Sequence, residues 1–259
     1  MVLGALLLAG VSCSKSELKV SERETSLDVN YFTYSRYLLT TAIVGVAQQY
    51  GKGVTEEAKG EATLYFMDCY NGGSQVSALY GTRAQDWGYE DSNPYTNQLR
   101  YLASVKTMAT KEDNMANVAA ADILKCVVGG YLTEKYGDVP FSEANLGRDG
   151  NMFPKFDTQK EVYEQMFVLL DNAVSILSDA GSKGLPSNHD VLFSGDRQKW
   201  IKFANSLKFR LMVHSYEAFK KAGKDLSGEM QAIAGGNNYM SSVADNAGLS
   251  FSGNSQDES

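Results

Sequence analysis

MANVAAADILKCVVGGYLTEKYGDVPFSEAN, residues 115–145, is the stretch that decides the fold. Apolar and small residues recur at every third or fourth position through its first two thirds, which is the spacing of one face of an α-helix. Gly137 follows directly, and a glycine can adopt the positive φ that ends a helix. Pro140 prevents the helix from resuming because it has no N–H to donate. The stretch therefore predicts a packed helix, beginning near Lys111, that runs into a fixed turn.

Small residues occur on the same face of this helix, and they predict that a neighbouring helix approaches it closely: Ala119, Ala120, Gly129 and Gly130. Helical spacing also appears elsewhere in the chain. It predicts a helix over Tyr34–Tyr50 that ends at Gly51-Lys-Gly53, and a second helix that Pro94 opens with Asn93 as its cap. A third helix is predicted to be capped by Asp157 and ended by Gly181. Two more are predicted, one after Gly195-Asp196 and a short one near Ser227–Ala234. Short helices are expected within residues 54–92, where several glycines interrupt the pattern. Few segments alternate as strands do, so the fold class is predicted to be all-α, built from antiparallel helix pairs.

Composition excludes several classes of function. The chain has 259 residues, a net charge of −7 and no run of lysine or arginine, so nucleic acid is not an expected partner. Its two histidines, His189 and His214, have no metal-ligand partner three or four residues away. Carboxylates spaced by four residues, such as Asp86 with Glu90 and Glu134 with Asp138, are typical of solvated charges. We therefore predict no enzyme, no metal and no cofactor.

The first 13 residues, MVLGALLLAGVSC, are apolar, uncharged and too short to span a bilayer. They predict a signal peptide, and the small residues before Cys13 are typical of a bacterial lipoprotein cleavage site. An ordinary secretory peptide with an incidental cysteine is the alternative. Residues 14–30 are polar and predict a tether, followed by a helical domain over 31–259.

The remaining cysteines, Cys69 and Cys126, allow two interpretations. An exported protein could join them in a disulfide. Each one, however, lies in an apolar helical context, which favours buried free thiols.

Three ordered motifs resemble those of one protein family: YLTEKYGDVPFSEA at 131–144, PKFDTQKEVY at 154–163 and KWIKFANSLKFR at 199–210. All three are similar to signatures of the SusD/RagB-like nutrient-binding outer-membrane lipoproteins. We expect the motifs to be architectural. Trp200 and Phe203 should lie on the buried side of their helix, and Asn205 and Ser206 should bond loop backbone. The turn residues Tyr136, Asp138 and Phe141 should hold the turn against the next helix.

The resemblance implies a scaffold of TPR-like helix hairpins with irregular ligand-binding insertions. It also implies a surface-exposed, lipid-anchored protein of the outer membrane that binds an oligosaccharide or peptide nutrient. The implied partner is a SusC-like TonB-dependent transporter. Because family members are considerably longer, a chain truncated at its C-terminus is expected. A helical scaffold or adhesin, and a surface hydrolase, are the alternative functions.

The best stretch for a sugar is QDWGYEDSNPY, residues 85–95, which places aromatic rings among groups that bond hydroxyls. An aromatic ring can lie against the C–H face of a pyranose while amides and carboxylates bond its hydroxyls. The predicted ligand-binding residues are Asp86, Trp87, Tyr89, Asn93 and Tyr95. In the alternative interpretation, Trp87 anchors this loop to a helix hairpin.

Overall fold

The computed structural model describes residues 34–55 and 94–249. Within these residues the chain forms six α-helices: α1 (Ser35–Thr55), α2 (Gln98–Lys111), α3 (Met115–Tyr136), α4 (Gln159–Ser178), α5 (Arg197–Lys221) and α6 (Ser227–Gly235). No strand occurs in the described part, and the single β-bridge joins Val139 to Asp157. Each of α1 to α4 packs against the helix that follows it. The predicted all-α fold of TPR-like helix hairpins is confirmed.

Helix α3 lies at the centre of the packing and contacts α1, α2, α4 and α5. The Asn114 side chain caps its N-terminus by accepting the Asn117 N–H at 3.2 Å, and Gly137, with φ of 79°, ends it. Among the described helices, α3 is also the one whose length and apolar composition would allow it to cross a bilayer. Of its most apolar window, 83% is buried among its neighbours, as in the core helix of a globular protein.

The small residues of α3 permit close contacts, as predicted. A Cβ atom on Gly129 would lie only 2.4 Å from a ring carbon of Phe141, and one on Gly130 would lie 3.2 Å from Leu211 of α5. At Gly129 the approaching group is therefore a side chain of the following turn, whereas at Gly130 it belongs to another helix. Cys126 on the same helix is a buried free thiol, as predicted; Cys69 lies outside the described residues.

Two predicted boundaries near the N-terminus were wrong. Helix α1 continues through Gly51-Lys-Gly53 to Thr55, because a glycine inside a helix costs only about 1 kcal/mol. Pro94 begins a turn and α2 starts at Gln98, without a side-chain cap from Asn97. Asn93 and residues 56–93 lie outside the described residues.

Two boundaries around α3 also differ from the prediction. Lys111 ends α2, and α3 starts only at Met115, because Asp113 adopts a positive φ of 54° that breaks the helix. The N-cap of α4 is Thr158, whose hydroxyl accepts the Glu161 N–H while the Glu161 carboxylate accepts the Thr158 N–H. This reciprocal pair takes the capping position that the sequence pattern predicts for Asp157.

The chain after α5 is held to the bundle by polar contacts. The Lys208 side chain is only 8% exposed and forms ion pairs with Asp171 of α4 at 2.7 Å and Glu229 of α6 at 3.0 Å. Asn205 Nδ2 donates to the Asn238 carbonyl at 2.7 Å, and Ser206 Oγ accepts the Met240 N–H at 2.8 Å. The predicted bonds of these two residues to loop backbone are confirmed.

Candidate functional site

Most of the predicted ligand stretch lies outside the described residues, as do Asp86, Trp87, Tyr89, Asn93 and the predicted lipidation residue Cys13. Tyr95 is described. Its hydroxyl donates to the Pro140 carbonyl at 3.0 Å, and its own carbonyl accepts Asn145 Nδ2 at 2.7 Å. Burial, followed by the nearby Asp157 carboxylate, raises the pKa of Tyr95 to about 12. Tyr95 is thus fixed to the turn after α3, and its role in ligand binding stays a prediction.

That turn is organised around the carboxylate of Asp157, whose side chain has no exposed surface. Oδ2 accepts the N–H groups of Phe141 at 3.0 Å and Ser142 at 2.7 Å, and Oδ1 accepts the Ser142 hydroxyl at 2.8 Å. Burial alone would raise the pKa of Asp157, but these bonds, with the Lys155 ammonium, outweigh it and lower the pKa to about 2. A carboxylate so enclosed holds the turn and cannot reach a ligand.

Two further residues join the turn to α4. Asp138 Oδ1 accepts the Gln159 N–H at 2.9 Å, at the first turn of α4, and the Phe141 ring is 1% exposed against α3. Gln159 Nε2 in turn donates to the Thr133 carbonyl at 2.7 Å. The predicted role of Asp138 in holding the turn against α4 is confirmed, whereas the Phe141 ring packs against Gly129 of α3. The role of Tyr136 stays a prediction. Together these bonds set the end of α3 beside the start of α4.

An open cavity of about 370 Å³ lies where the end of α3, the start of α4 and the second half of α5 meet. Its floor is buried: Tyr163, Ser215 and Phe219 are 6%, 5% and 3% exposed. Its rim is exposed, and it combines charged and polar side chains with two alanines: Glu134, Gln159, Lys160, His214, Ala218 and Ala222. We call this space the α3–α5 cavity.

Charges of both signs line the α3–α5 cavity. Glu134 Oε1 lies 2.8 Å from His214 Nδ1, and Oε2 accepts Arg210 Nη2 at 3.1 Å; the Glu134 side chain is 26% exposed. Within residues 34–55 and 94–249, Lys160 forms no ion pair. Burial raises the pKa of Tyr163 to about 12, and the Glu134 carboxylate adds to this rise. The phenol is therefore a neutral hydroxyl at physiological pH.

The arrangement suits non-covalent binding of a small polar ligand. Aromatic carbon forms part of the floor, while a carboxylate, an ammonium, an imidazole and an amide surround the mouth. In the part of the chain that the structure describes, no three His, Cys, Asp or Glu side chains gather to hold a metal ion. The carboxylates of Glu134 and Asp138 contact different groups, the side chains of α5 and the N-terminus of α4, respectively.

The sequence did not single out the α3–α5 cavity. Helical spacing can indicate that Tyr163 and Phe219 face inward, because both occupy apolar positions of their helices. It cannot indicate that Ala218 and Ala222 leave a space above them, since a gap arises only when three helices and a turn meet. His189, the other histidine, packs its ring 5.0 Å from the Tyr37 ring, and its carbonyl accepts the Thr40 hydroxyl at 2.6 Å.

The helix bundle and the three motifs define a SusD-like protein. A family model described as starch-binding and associating with the outer membrane matches residues 28–259, and the chain belongs to that SusD-like family. The predicted family membership is confirmed. No protein of curated function matches the chain in sequence.

Solved structures show the same fold. A Bacteroidetes SusD-like protein, AC2a, superposes with a TM-score of 0.68 and 25% identity over 84% of this chain and 39% of its own. A SusD homologue from Bacteroides fragilis superposes with a TM-score of 0.65 and 20% identity, over 87% of this chain and 45% of its own. A chitin-binding SusD homologue from Flavobacterium johnsoniae superposes with a TM-score of 0.52 and 25% identity, over 63% of this chain and 33% of its own. The chain thus spans less than half the length of these relatives.

Proposed function

We propose that this chain is the helical portion of a surface-exposed outer-membrane lipoprotein that binds an oligosaccharide, or in some settings a peptide, as a nutrient. The bound nutrient passes to a SusC-like TonB-dependent transporter. The protein contributes affinity and orientation and performs no bond chemistry on the ligand. The observation that carries the proposal is the match of a family described as starch-binding and associating with the outer membrane to residues 28–259.

The proposed route to the membrane is a lipid on Cys13. Each buried methylene of an acyl chain contributes about 0.8 kcal/mol, so several chains on one cysteine hold a protein on a membrane. The polar residues 14–30 then separate the helices from the lipid surface. Cys13→Ala should move the protein from the membrane fraction to the soluble fraction. An unchanged distribution would remove the anchor from the proposal.

The proposed ligand contact is the stretch 85–95, with Trp87 against the apolar face of a sugar ring. Trp87→Ala should abolish retention of the protein on an affinity gel made with its cognate glycan, chosen from a glycan array, and leave the helical circular dichroism unchanged. Phe153→Ala is a matched control, because the Phe153 ring is 91% exposed and lies outside that stretch. Equal retention of both variants would exclude Trp87 from the site.

Two further outcomes would replace the proposed function. Reducing ends that accumulate when the pure protein meets a polysaccharide would identify a hydrolase. A protein that binds no glycan or peptide on an array, yet copurifies with a constant protein partner, would be a helical scaffold or adhesin. Copurification with a SusC-like barrel that increases when ligand is present is the expected result.

A further inference from the structure

We propose that the α3–α5 cavity, which is lined by residues other than 85–95, is a second ligand site and that it holds one neutral pyranose ring of a glycan. The position of the cavity and its lining carry this inference. The choice of a sugar also rests on the proposed function. The three helices that form the cavity are the ones that the turn around Asp157 and the ion pairs of Lys208 hold in place.

The size of the cavity suits a small ligand such as one sugar ring. Ligand pockets in proteins have volumes of about 300–1,000 Å³, so a cavity of about 370 Å³ lies at the small end of that range. Its mouth is open, and the exposed rim allows the rest of a glycan chain to extend into solvent. In the proposed complex, one sugar unit occupies the cavity and its neighbours remain outside.

The floor and the α5 side of the cavity supply a small apolar surface. Tyr163 and Phe219 are buried aromatic residues at the base, and Ala218 and Ala222 present only methyl groups on the α5 side. The C–H groups of a pyranose can pack against these methyl groups, while the two rings close the base, because only 6% of Tyr163 and 3% of Phe219 are exposed. Tyr163 also has a neutral hydroxyl there, which both donates and accepts hydrogen bonds.

The rim favours a neutral ligand over a charged one. Glu134 presents negative charge and Lys160 presents positive charge at the same mouth. A ligand with one charge would meet a like charge on one side, which is unfavourable at close range. The hydroxyls of a sugar each donate and accept, so neighbouring hydroxyls can bond a carboxylate and an ammonium together.

The test measures binding of D-glucose and N-acetylglucosamine, the units of starch and chitin, to the full chain by saturation-transfer NMR titration. All proteins carry Trp87→Ala, so the other proposed site makes no contribution. Ala218→Leu fills the mouth from an exposed helical position where leucine is well tolerated. We expect at least one sugar to bind and Ala218→Leu to weaken it by about tenfold or more.

Ala234→Leu provides the matched control, because it makes the same exchange at an exposed position of α6 outside the cavity. It should bind sugar like its parent. Absence of saturation transfer to both sugars, or equal affinity of Ala218→Leu and the parent, would overturn the inference. These outcomes are independent of the gel assay with Trp87, so the second site can fail while the proposed function stands, and the reverse.

Discussion

Two carboxylates flank the connection between α3 and α4, and their environments are opposite. Asp157 has no exposed side-chain surface, and it accepts hydrogen bonds from the backbone of its own turn. Glu134 is 26% exposed, and its partners are side chains of Arg210 and His214 on α5, at the edge of an open cavity. The first carboxylate is enclosed by structure, whereas the second retains a surface that a ligand can reach.

This difference distinguishes acidic residues that stabilise the fold from acidic residues that a ligand can reach. A carboxylate bonded by nearby backbone N–H groups replaces the water that those groups would otherwise bind, so its removal leaves buried donors unsatisfied. A carboxylate bonded by long side chains in partial contact with water loses little when it is neutralised. Substitution of Asp157 should therefore reduce stability more than substitution of Glu134. Substitution of Glu134 should reduce ligand binding more than substitution of Asp157.

The largest effect is expected from Asp157→Ala. Without the carboxylate, the N–H groups of Phe141 and Ser142 lose their acceptor in a buried turn, and each such group costs about 1–3 kcal/mol. We expect urea denaturation to show a loss of about 3 kcal/mol in the free energy of unfolding. Asp149→Ala is the control, at an exposed aspartate in the same connection, and should change stability by less than about 0.5 kcal/mol. Equal losses would refute the assignment of Asp157 as the centre of the turn.

The stability of the protein at low pH should depend on the same carboxylate. The pKa of Asp157 falls from 3.8 to about 2 on folding, so the unfolded chain binds the proton more tightly than the folded one between these values. The stabilisation is therefore complete above about pH 4 and is lost as the pH falls through about 2, with a total of about 2 kcal/mol. Asp157→Asn cannot titrate, so its stability should fall less than that of the parent over this interval. Parallel pH profiles of the two proteins would show that Asp157 contributes nothing to acid unfolding.

A single methyl group added to Gly129 tests how tightly the Phe141 ring packs against α3. Gly129→Ala would put a Cβ atom 2.4 Å from the Phe141 ring, and overpacking of this kind costs about 1–3 kcal/mol. After the gain in helix propensity of about 1 kcal/mol, we expect a net loss of about 0–2 kcal/mol in chemical denaturation. Gly130→Ala meets only the flexible end of Leu211 at 3.2 Å and should be nearly neutral. A gain in stability of about 1 kcal/mol, which helix propensity alone would give, would mean that Phe141 is not held against α3.

Apart from the control variants, the smallest change in stability is expected from Glu134→Gln. The ion pairs of Glu134 are partly exposed, so their loss should cost less than about 1 kcal/mol. The same variant should weaken sugar binding in the α3–α5 cavity by about fivefold, because a charged acceptor becomes a neutral one. Titration with the two sugars and urea denaturation of the same sample would measure both quantities. A stability loss as large as that of Asp157→Ala, with unchanged binding, would remove the contrast between the two carboxylates.

Sequence patterns predicted those parts of the fold that depend on local chemistry. The apolar face of α3, the end at Gly137 and the buried Trp200 all follow from residue type and spacing, and Trp200 has no exposed surface in the structure. Errors occurred at boundaries where competing local choices differ by little free energy. Gly51 and Gly53 are tolerated within α1, and Thr158 rather than Asp157 takes the capping position of α4 because Asp157 bonds the turn instead.

The candidate site was much less predictable. Five residues of the 85–95 stretch were chosen from their chemical types, and only Tyr95 among them lies in the described part, bonded to Pro140. The α3–α5 cavity draws its lining from positions as far apart as Glu134 and Ala222, and no spacing rule relates them. The residues that line the cavity are neighbours only because three helices converge.

The amino-acid sequence by itself determined the family, the helical fold class and the central role of α3, because periodicity, capping and turn chemistry act between residues close in the chain. Tertiary structure alone decided which carboxylate is enclosed and which faces an open cavity. Both are ordinary acidic residues near one turn. Their difference arises from the groups that packing brings to each of them, the backbone of the turn for Asp157 and the side chains of α5 for Glu134.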